Sequence, residues 1–160
     1  MIAGLHLAAG ALLAPRGALG APKTGKLATT HDLQADARIA ARDRRPILLL
    51  VSQEECPFCW QIKREILDPM VLSGDYDDRL LMREMFIDEG FLLRDFQGRE
   101  VAGGDFALRY GVSLTPTLLF LDPRGRELTD KMVGIQTPEM YFLYVDAAIT
   151  EAVERMRGGE

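Results

Sequence analysis

Ile47-Leu48-Leu49-Leu50-Val51-Ser52-Gln53-Glu54-Glu55-Cys56-Pro57-Phe58-Cys59-Trp60 is the stretch from which the rest of the chain is read. Five consecutive apolar residues, bounded by Pro46 and Ser52, predict a strand buried on both faces. A polar loop follows. Cys59, Ile62 and Ile66 then recur at spacings of three and four, so a helix opens at Cys56 and runs to Leu67. Helix N-termini present unpaired N–H groups and a positive dipole end, and both favour a thiolate over a thiol at Cys56. The thiolate is the species that attacks a disulfide. Pro57 suits the first turn, where no N–H is needed. Cys59 lies one turn on along the same face. It is expected to be the more buried sulfur, and to resolve a mixed disulfide formed by Cys56. Glu54 and Glu55 oppose thiolate formation if they lie near the sulfur; a solvated loop is the favoured reading for both.

Three chemistries compete for this pair, which holds the only cysteines in the chain. A zinc site needs about four ligands, and the histidines are His6 and His31 alone, so no metal site is expected. A structural disulfide closing so short a loop removes little unfolded-state entropy. A redox pair is the reading that remains. A copper-delivery role would call for a downstream His, and none follows His31.

Working outward, Asp32 is placed to cap a helix running to about Arg44, with Leu33, Ala37, Ala40 and Ala41 on its apolar face and Pro46 as its stop. The basic cluster Arg42, Arg44 and Arg45 suits the C-terminal end of that helix. Asp68-Pro69 predicts a kink or break before a short piece carrying Met70 and Leu72. Leu80 to Asp88 reads as a second central strand. Phe96-Gln97-Gly98-Arg99 is a turn between two short extended pieces. Asp105 to Tyr110 is a short helix with Gly111 at its C-cap. Thr117 to Leu121 is a strand, Asp122-Pro123-Arg124-Gly125 a turn, and Glu127 to Val133 a further strand. Thr137-Pro138, a capping Thr before Pro, starts a long C-terminal helix with Tyr141, Phe142, Val145, Ala148, Ile149, Ala152, Val153 and Met156 on one face. This order implies an α/β layered domain with a mixed sheet.

The 160 residues suit one domain with a real core, and no basic patch is interleaved with aromatics, so nucleic acid is not an expected partner. Residues 1–20 differ from the rest. Met1 to Leu13 is apolar, and Ala18-Leu19-Gly20 is a small-x-small cleavage pattern, together resembling a secretory signal peptide, though no Lys or Arg precedes the apolar run. Residues 21–31 read as a linker and 32–157 as the folded domain. Export implies a periplasmic location, where disulfides persist.

Thr115-Pro116 follows the third helix and precedes a strand. By itself this is a Pro at a strand start. Together with a strand and a CxxC opening a helix, it resembles the thioredoxin superfamily. The resemblance implies a thioredoxin fold, a central mixed β-sheet flanked by helices. It further implies a cis Pro116 beside the cysteines, and a Thr115 whose backbone holds substrate as an added strand. Cys56-Pro57-Phe58-Cys59, Asp95-Phe96-Gln97-Gly98, Leu108-Arg109-Tyr110-Gly111-Val112 and Thr115-Pro116-Thr117-Leu118-Leu119-Phe120 are similar to periplasmic thioredoxins of the sulfur-oxidation (SoxW) type. That likeness implies a thiol–disulfide oxidoreductase working as a reductase on exported protein disulfides. It implies a membrane thiol carrier of the DsbD or CcdA type as electron donor, and no cofactor beyond a redox-active Cys56–Cys59 disulfide. A monomer is expected. A disulfide oxidase or isomerase, and a non-catalytic peptide-binding module on the same fold, are the alternatives. Cytosolic thioredoxin has Trp-Cys-Gly-Pro-Cys; here Glu55 precedes the motif and Trp60, expected to pack, follows it. Leu50 stands where that protein has a buried acid, leaving Glu54, Glu55 or water as acceptors for the Cys59 proton.

Overall fold

The apolar run becomes β1 (Ile47–Ser52), and all six of its residues are buried. A strand buried on both faces needs a layer on each side, and the computed structural model, which describes residues 25–159, provides both. The signal-like segment 1–20 and the first linker residues lie outside the described residues. Around β1 come α1 (Leu33–Asp43), α2 (Pro57–Ile62), a π-helical stretch (Lys63–Leu67), α3 (Asp68–Ser73) and β2 (Leu81–Phe86). A small hairpin follows, β3 (Leu92–Arg94) and β4 (Glu100–Ala102), and then α4 (Gly103–Arg109), β5 (Thr117–Leu121), β6 (Met132–Val133) and α5 (Tyr141–Gly158).

The main sheet runs β2-β1-β5-β6. The β1–β2 pair is parallel and the other two pairs are antiparallel. Alternation along β1 and β5 divides the core. Leu48, Leu50, Leu118 and Phe120 pack with Ile62, Leu67, Tyr141, Val145 and Ile149. Ile47, Leu49, Val51, Leu119 and Leu121 pack with Leu33, Ala40 and Phe106. This is the thioredoxin-like α/β fold, a central mixed sheet flanked by helices.

Several local expectations give way to tertiary context. Pro69 does not break its helix. The Asp68 N–H reaches back five residues to Lys63 O, and this widened turn precedes a proline that would otherwise crowd the carbonyl four residues earlier. The strand expected over Glu127 to Val133 reduces to an isolated bridge, Leu121 with Glu127, and the two residues of β6. Thr137 does not cap α5. It sits at φ +49 without a capping bond, and one 3-10 turn, Pro138–Met140, intervenes. Phe142, expected on the buried face, is exposed. The second half of the expected linker is seated on β2: Glu84 N–H donates to Ala28 O (2.9 Å) and Thr30 N–H to Glu84 O (2.8 Å). Thr30 Oγ1 then donates to Asp36, which also accepts from Arg83 Nε at 2.8 Å.

Two turns share one design. In Asp95–Arg99 and Asp122–Arg126, one carboxylate oxygen accepts the amides two and four residues on, and the other meets the Arg four residues on. Gly98 and Gly125 supply φ near +80. The turns pack on each other: a Cβ on Gly125 would lie 2.6 Å from the Phe96 ring, and Tyr110 OH donates to Gly125 O at 2.8 Å. Burial pushes the Asp95 carboxyl up, but the Arg99 amide, the Arg109 guanidinium, the Gln97 amide and the Arg99 charge hold it down at about 2. A depressed carboxyl contributes stability above its unfolded value near 3.8 and loses it as pH falls through the folded value. Asp95→Asn is therefore expected to cost roughly 2 kcal/mol in urea unfolding at neutral pH. The gap between parent and variant should close between pH 3.8 and about 2.

Candidate active site

Beyond Ser52 the chain leaves the sheet through exposed Gln53, Glu54 and Glu55, and Asp88 Oδ2 accepts the Glu54 N–H at 3.0 Å. Cys56 is the N-cap of α2 in extended backbone, with Pro57 at the first helical position. Cys56 and Cys59 are joined in a disulfide, their Cα atoms 5.2 Å apart. Cys56 keeps 7% exposure and Cys59 none, because residues 59 and 62 face the sheet while 57, 58 and 60 face solvent. Trp60 is half exposed, against the expectation that it packs, and Phe58 is more exposed still.

The Cys59 N–H donates to Cys56 Sγ at 3.2 Å, so a helix N-terminal amide already points at the sulfur that would carry negative charge. Across from it the Thr115–Pro116 peptide bond is cis. Thr115 Oγ1 lies 3.6 Å from Cys56 Sγ and 2.9 Å from Gln53 Oε1. A hydroxyl has one proton to donate. It can serve Gln53 while the sulfurs are joined and turn to Cys56 once a thiolate forms. Pro116 O accepts from Gly134 N–H at 2.8 Å, so the peptide beyond the proline is taken up by the sheet, and Thr115 lies outside the last ladder pair, Thr117 with Val133. Leu114 exposes its side chain beside Thr115.

Cys56, Cys59, Thr115 and Pro116 are thus brought to one place, and Pro57 and Phe58 open the helix there. Gln53 was not singled out from the sequence, where nothing marks a loop glutamine as a partner of a threonine 62 positions away. Lys63 and Glu84 were also missed. Lys63 Nζ lies 2.7 Å from Glu84 Oε1, on the buried side of the cysteine-bearing helix. The available signal was an acid alternating with Met82 and Phe86 on the core-facing side of a strand. Among the described residues no group of three or more His, Cys, Asp or Glu is placed to hold a metal.

Comparison with known proteins agrees with this geometry. Residues 33–149 match the family described as Thioredoxin-like domain, and the chain belongs to that family. Among solved structures it is similar to a DsbH oxidoreductase, with 19% identity, TM-score 0.55, and coverage of 84% of this chain and 94% of that one. It is similar to Fasciola hepatica thioredoxin, with 15% identity, TM-score 0.51, and coverage of 79% and 99%. It is also similar to thioredoxin O2 from Arabidopsis thaliana in the oxidised state, with 20% identity, TM-score 0.50, and coverage of 79% and 94%. No curated protein matches its sequence. The family and the disulfide-linked cysteine pair support thiol–disulfide oxidoreductase activity.

The two donors at Cys56 make a direct expectation. Thr115→Val keeps the shape and removes one donor. Iodoacetamide should then alkylate Cys56 several-fold more slowly at mildly acid pH, in line with about 1 kcal/mol for an ordinary net hydrogen bond, the scale suited to a long 3.6 Å contact to sulfur. In the reduced parent, peptide mass mapping should find Cys56 alkylated well before Cys59; equal labelling of the two would contradict the burial order.

Proposed function

We propose that this chain is a thiol–disulfide reductase acting on disulfides of exported proteins. The observation that carries the reading is the Cys56–Cys59 disulfide at a helix N-terminus, with Thr115 Oγ1 3.6 Å from Cys56 Sγ. The reduced Cys56 thiolate attacks a substrate disulfide, forming a mixed disulfide and releasing the first substrate thiolate. Cys59 then attacks Cys56 Sγ, forming the intramolecular disulfide and releasing the second. Two electrons pass to the substrate, and a donor dithiol must return them. By the SoxW-like resemblance that donor is a membrane thiol carrier of the DsbD or CcdA type. The signal-like residues 1–20 support a periplasmic location.

The substrate is a protein rather than a small thiol, because the cysteines lie within an apolar surface. Phe58, Trp60 and Leu114 are 61%, 53% and 63% exposed around an attacking sulfur that is itself nearly covered. An extended segment fits beside Thr115, whose position past the end of the ladder leaves an edge for β-strand addition. No cofactor beyond the disulfide enters the cycle.

The test is the reduction potential of the Cys56–Cys59 couple. A value near thioredoxin's, about −270 mV, supports a reductase, whereas one near DsbA's, about −120 mV, overturns the direction. Cys56→Ser is expected to abolish reduction of insulin disulfides. A variant that still captures its partner without any exchange in the parent would instead identify a binding module.

A further inference from the structure

Thr115 Oγ1 has one proton and two acceptors in reach, Gln53 Oε1 at 2.9 Å and Cys56 Sγ at 3.6 Å. In the disulfide the sulfur is a weak acceptor, and the shorter contact takes the proton. Once Cys56 is a thiolate the order reverses, because a charged acceptor draws the stronger bond. The hydroxyl then turns, and its lone pairs face the oxygen that had accepted from it. Two acceptors with no proton between them repel, so Gln53 has to change as well. A glutamine can do so, since its amide carries an acceptor on one side and a donor on the other. A half-turn about its last torsion, which is broad and two-fold, replaces Oε1 by Nε2.

The backbone on both sides of this contact is pinned, and the glutamine side chain is not. Ser52 O accepts the Ile87 N–H at 3.0 Å and Asp88 Oδ2 accepts the Glu54 N–H at 3.0 Å, which fixes the chain before and after Gln53. Leu114 O accepts from Thr117 Oγ1 and Pro116 O from the Gly134 N–H, both at 2.8 Å, which does the same for Thr115. Gln53 itself is exposed, and among the described residues its side chain bonds Thr115 alone. Glu54 and Glu55 on the same loop, and Asp88 beside it, are the ionisable side chains on this approach, and among the described residues none is bonded to Thr115. A glutamate at this position would only accept, and an apolar side chain would neither accept nor donate.

We propose that Gln53 is a positioning residue for the exchange, holding the Thr115 hydroxyl through Oε1 in the disulfide and through Nε2 once Cys56 is a thiolate, and so setting the balance between the two redox states. The inference rests on the exchange chemistry set out above, and Gln53 acts on the sulfur through Thr115. The row from Nε2–H to Oγ1–H to Sγ polarises along its length, which strengthens the bond to the sulfur. Reduction balances without a proton leaving either residue. A dithiol breaks the Cys56–Cys59 bond and is itself oxidised to a disulfide. The electron pair stays on Cys56 Sγ. Of the two protons the dithiol gives up, one goes to Cys59 and one to solvent. The Thr115 proton turns from Gln53 to the sulfur, and the amide turns after it.

Gln53→Glu can accept but not donate, and its oxygens keep the Thr115 proton from the sulfur. The equilibrium of the Cys56–Cys59 couple with dithiothreitol, in mildly alkaline buffer, is expected to shift about tenfold toward the protein disulfide, a potential lower by about 30 mV for two electrons. The added charge also acts through space, and Thr115→Val isolates that part: in its presence Gln53→Glu should shift the equilibrium only about threefold. Thr115→Ser keeps the hydroxyl and should keep most of the tenfold effect. Equal shifts with and without the hydroxyl would overturn the proposal, as would no shift in either. The unaltered protein gives an independent measurement. Reduction should move the Gln53 side-chain amide hydrogens downfield in a nitrogen–proton correlation spectrum, and Thr115→Val should abolish that movement. Resonances that reduction leaves in place refute the turn of the amide. A parent whose cysteines do not exchange with dithiothreitol overturns the exchange reading and this inference together, whereas a parental potential near DsbA's overturns the reductive direction alone.

Discussion

The antiparallel ladder between β1 and β5 sets where the two halves of the active site meet. Its last pair is Val51 with Thr117. Two residues past each end stand Gln53 and Thr115, joined side chain to side chain at 2.9 Å, and the next residues on each side lead to Cys56 and from Leu114. A slip of one residue in this ladder would turn Leu48 and Leu50 onto the face now filled by Leu49 and Val51. Both faces carry a packed layer, so neither offers room for the exchange. Burying one such leucine contributes about 1.5–3 kcal/mol, and the register is held by several at once. The hydrophobic pattern of β1 therefore positions a sulfur that lies outside the strand.

That pattern was plain in the sequence because β1 has few alternatives: five apolar residues between Pro46 and Ser52 can form little else. The cysteine helix was legible for the same reason, as were the turns at Phe96–Arg99 and Asp122–Gly125, whose Gly and Pro positions demand particular backbone geometry; the part Asp95 plays in the first was not. The failures cluster where neighbours decide. Pro69 reads locally as a stop, yet the helix is held on the sheet by Ile62, Leu67 and Met70, and a widened turn costs less than giving up those contacts. Thr137 and Pro138 read locally as a cap, yet Tyr141 rather than Pro138 is the first residue of this segment to be buried. The strand at Glu127 is cut short although Leu128 N–H still reaches Phe120 O at 2.7 Å; β6 is an outer strand, where the ladder has one partner only.

Within the site, Cys56 and Cys59 were visible by residue type and Thr115 and Pro116 through the family resemblance, while Gln53 and Glu84, which matter only by placement, were not. Gln53 has meaning only through the β1–β5 register. Glu84 has meaning only through the β1–β2 register, which sets it beside Leu50. The position matched to a buried acid in cytosolic thioredoxin is apolar, and the charge stands one strand over. Reading down a single strand could not find it, because the relation is lateral.

The lateral placement has an electrostatic consequence for Cys56. A cation near a thiolate stabilises it, and a couple whose reduced form is so stabilised becomes a stronger oxidant. Lys63 lies on the cysteine helix, one turn past Cys59, and would act in this way if it were unpaired. Instead its ammonium is held 2.7 Å from the Glu84 carboxylate, and the pair as a whole presents little net charge to the sulfurs. The donors left to Cys56 are neutral, an amide at 3.2 Å and a hydroxyl at 3.6 Å. The exposed Glu54 and Glu55 add negative charge on the loop leading into the motif, which works against a thiolate. Neutral dipoles at Cys56 and a Lys63 paired with Glu84 give the thiolate only modest electrostatic support, and the proposed reductive direction draws on that balance.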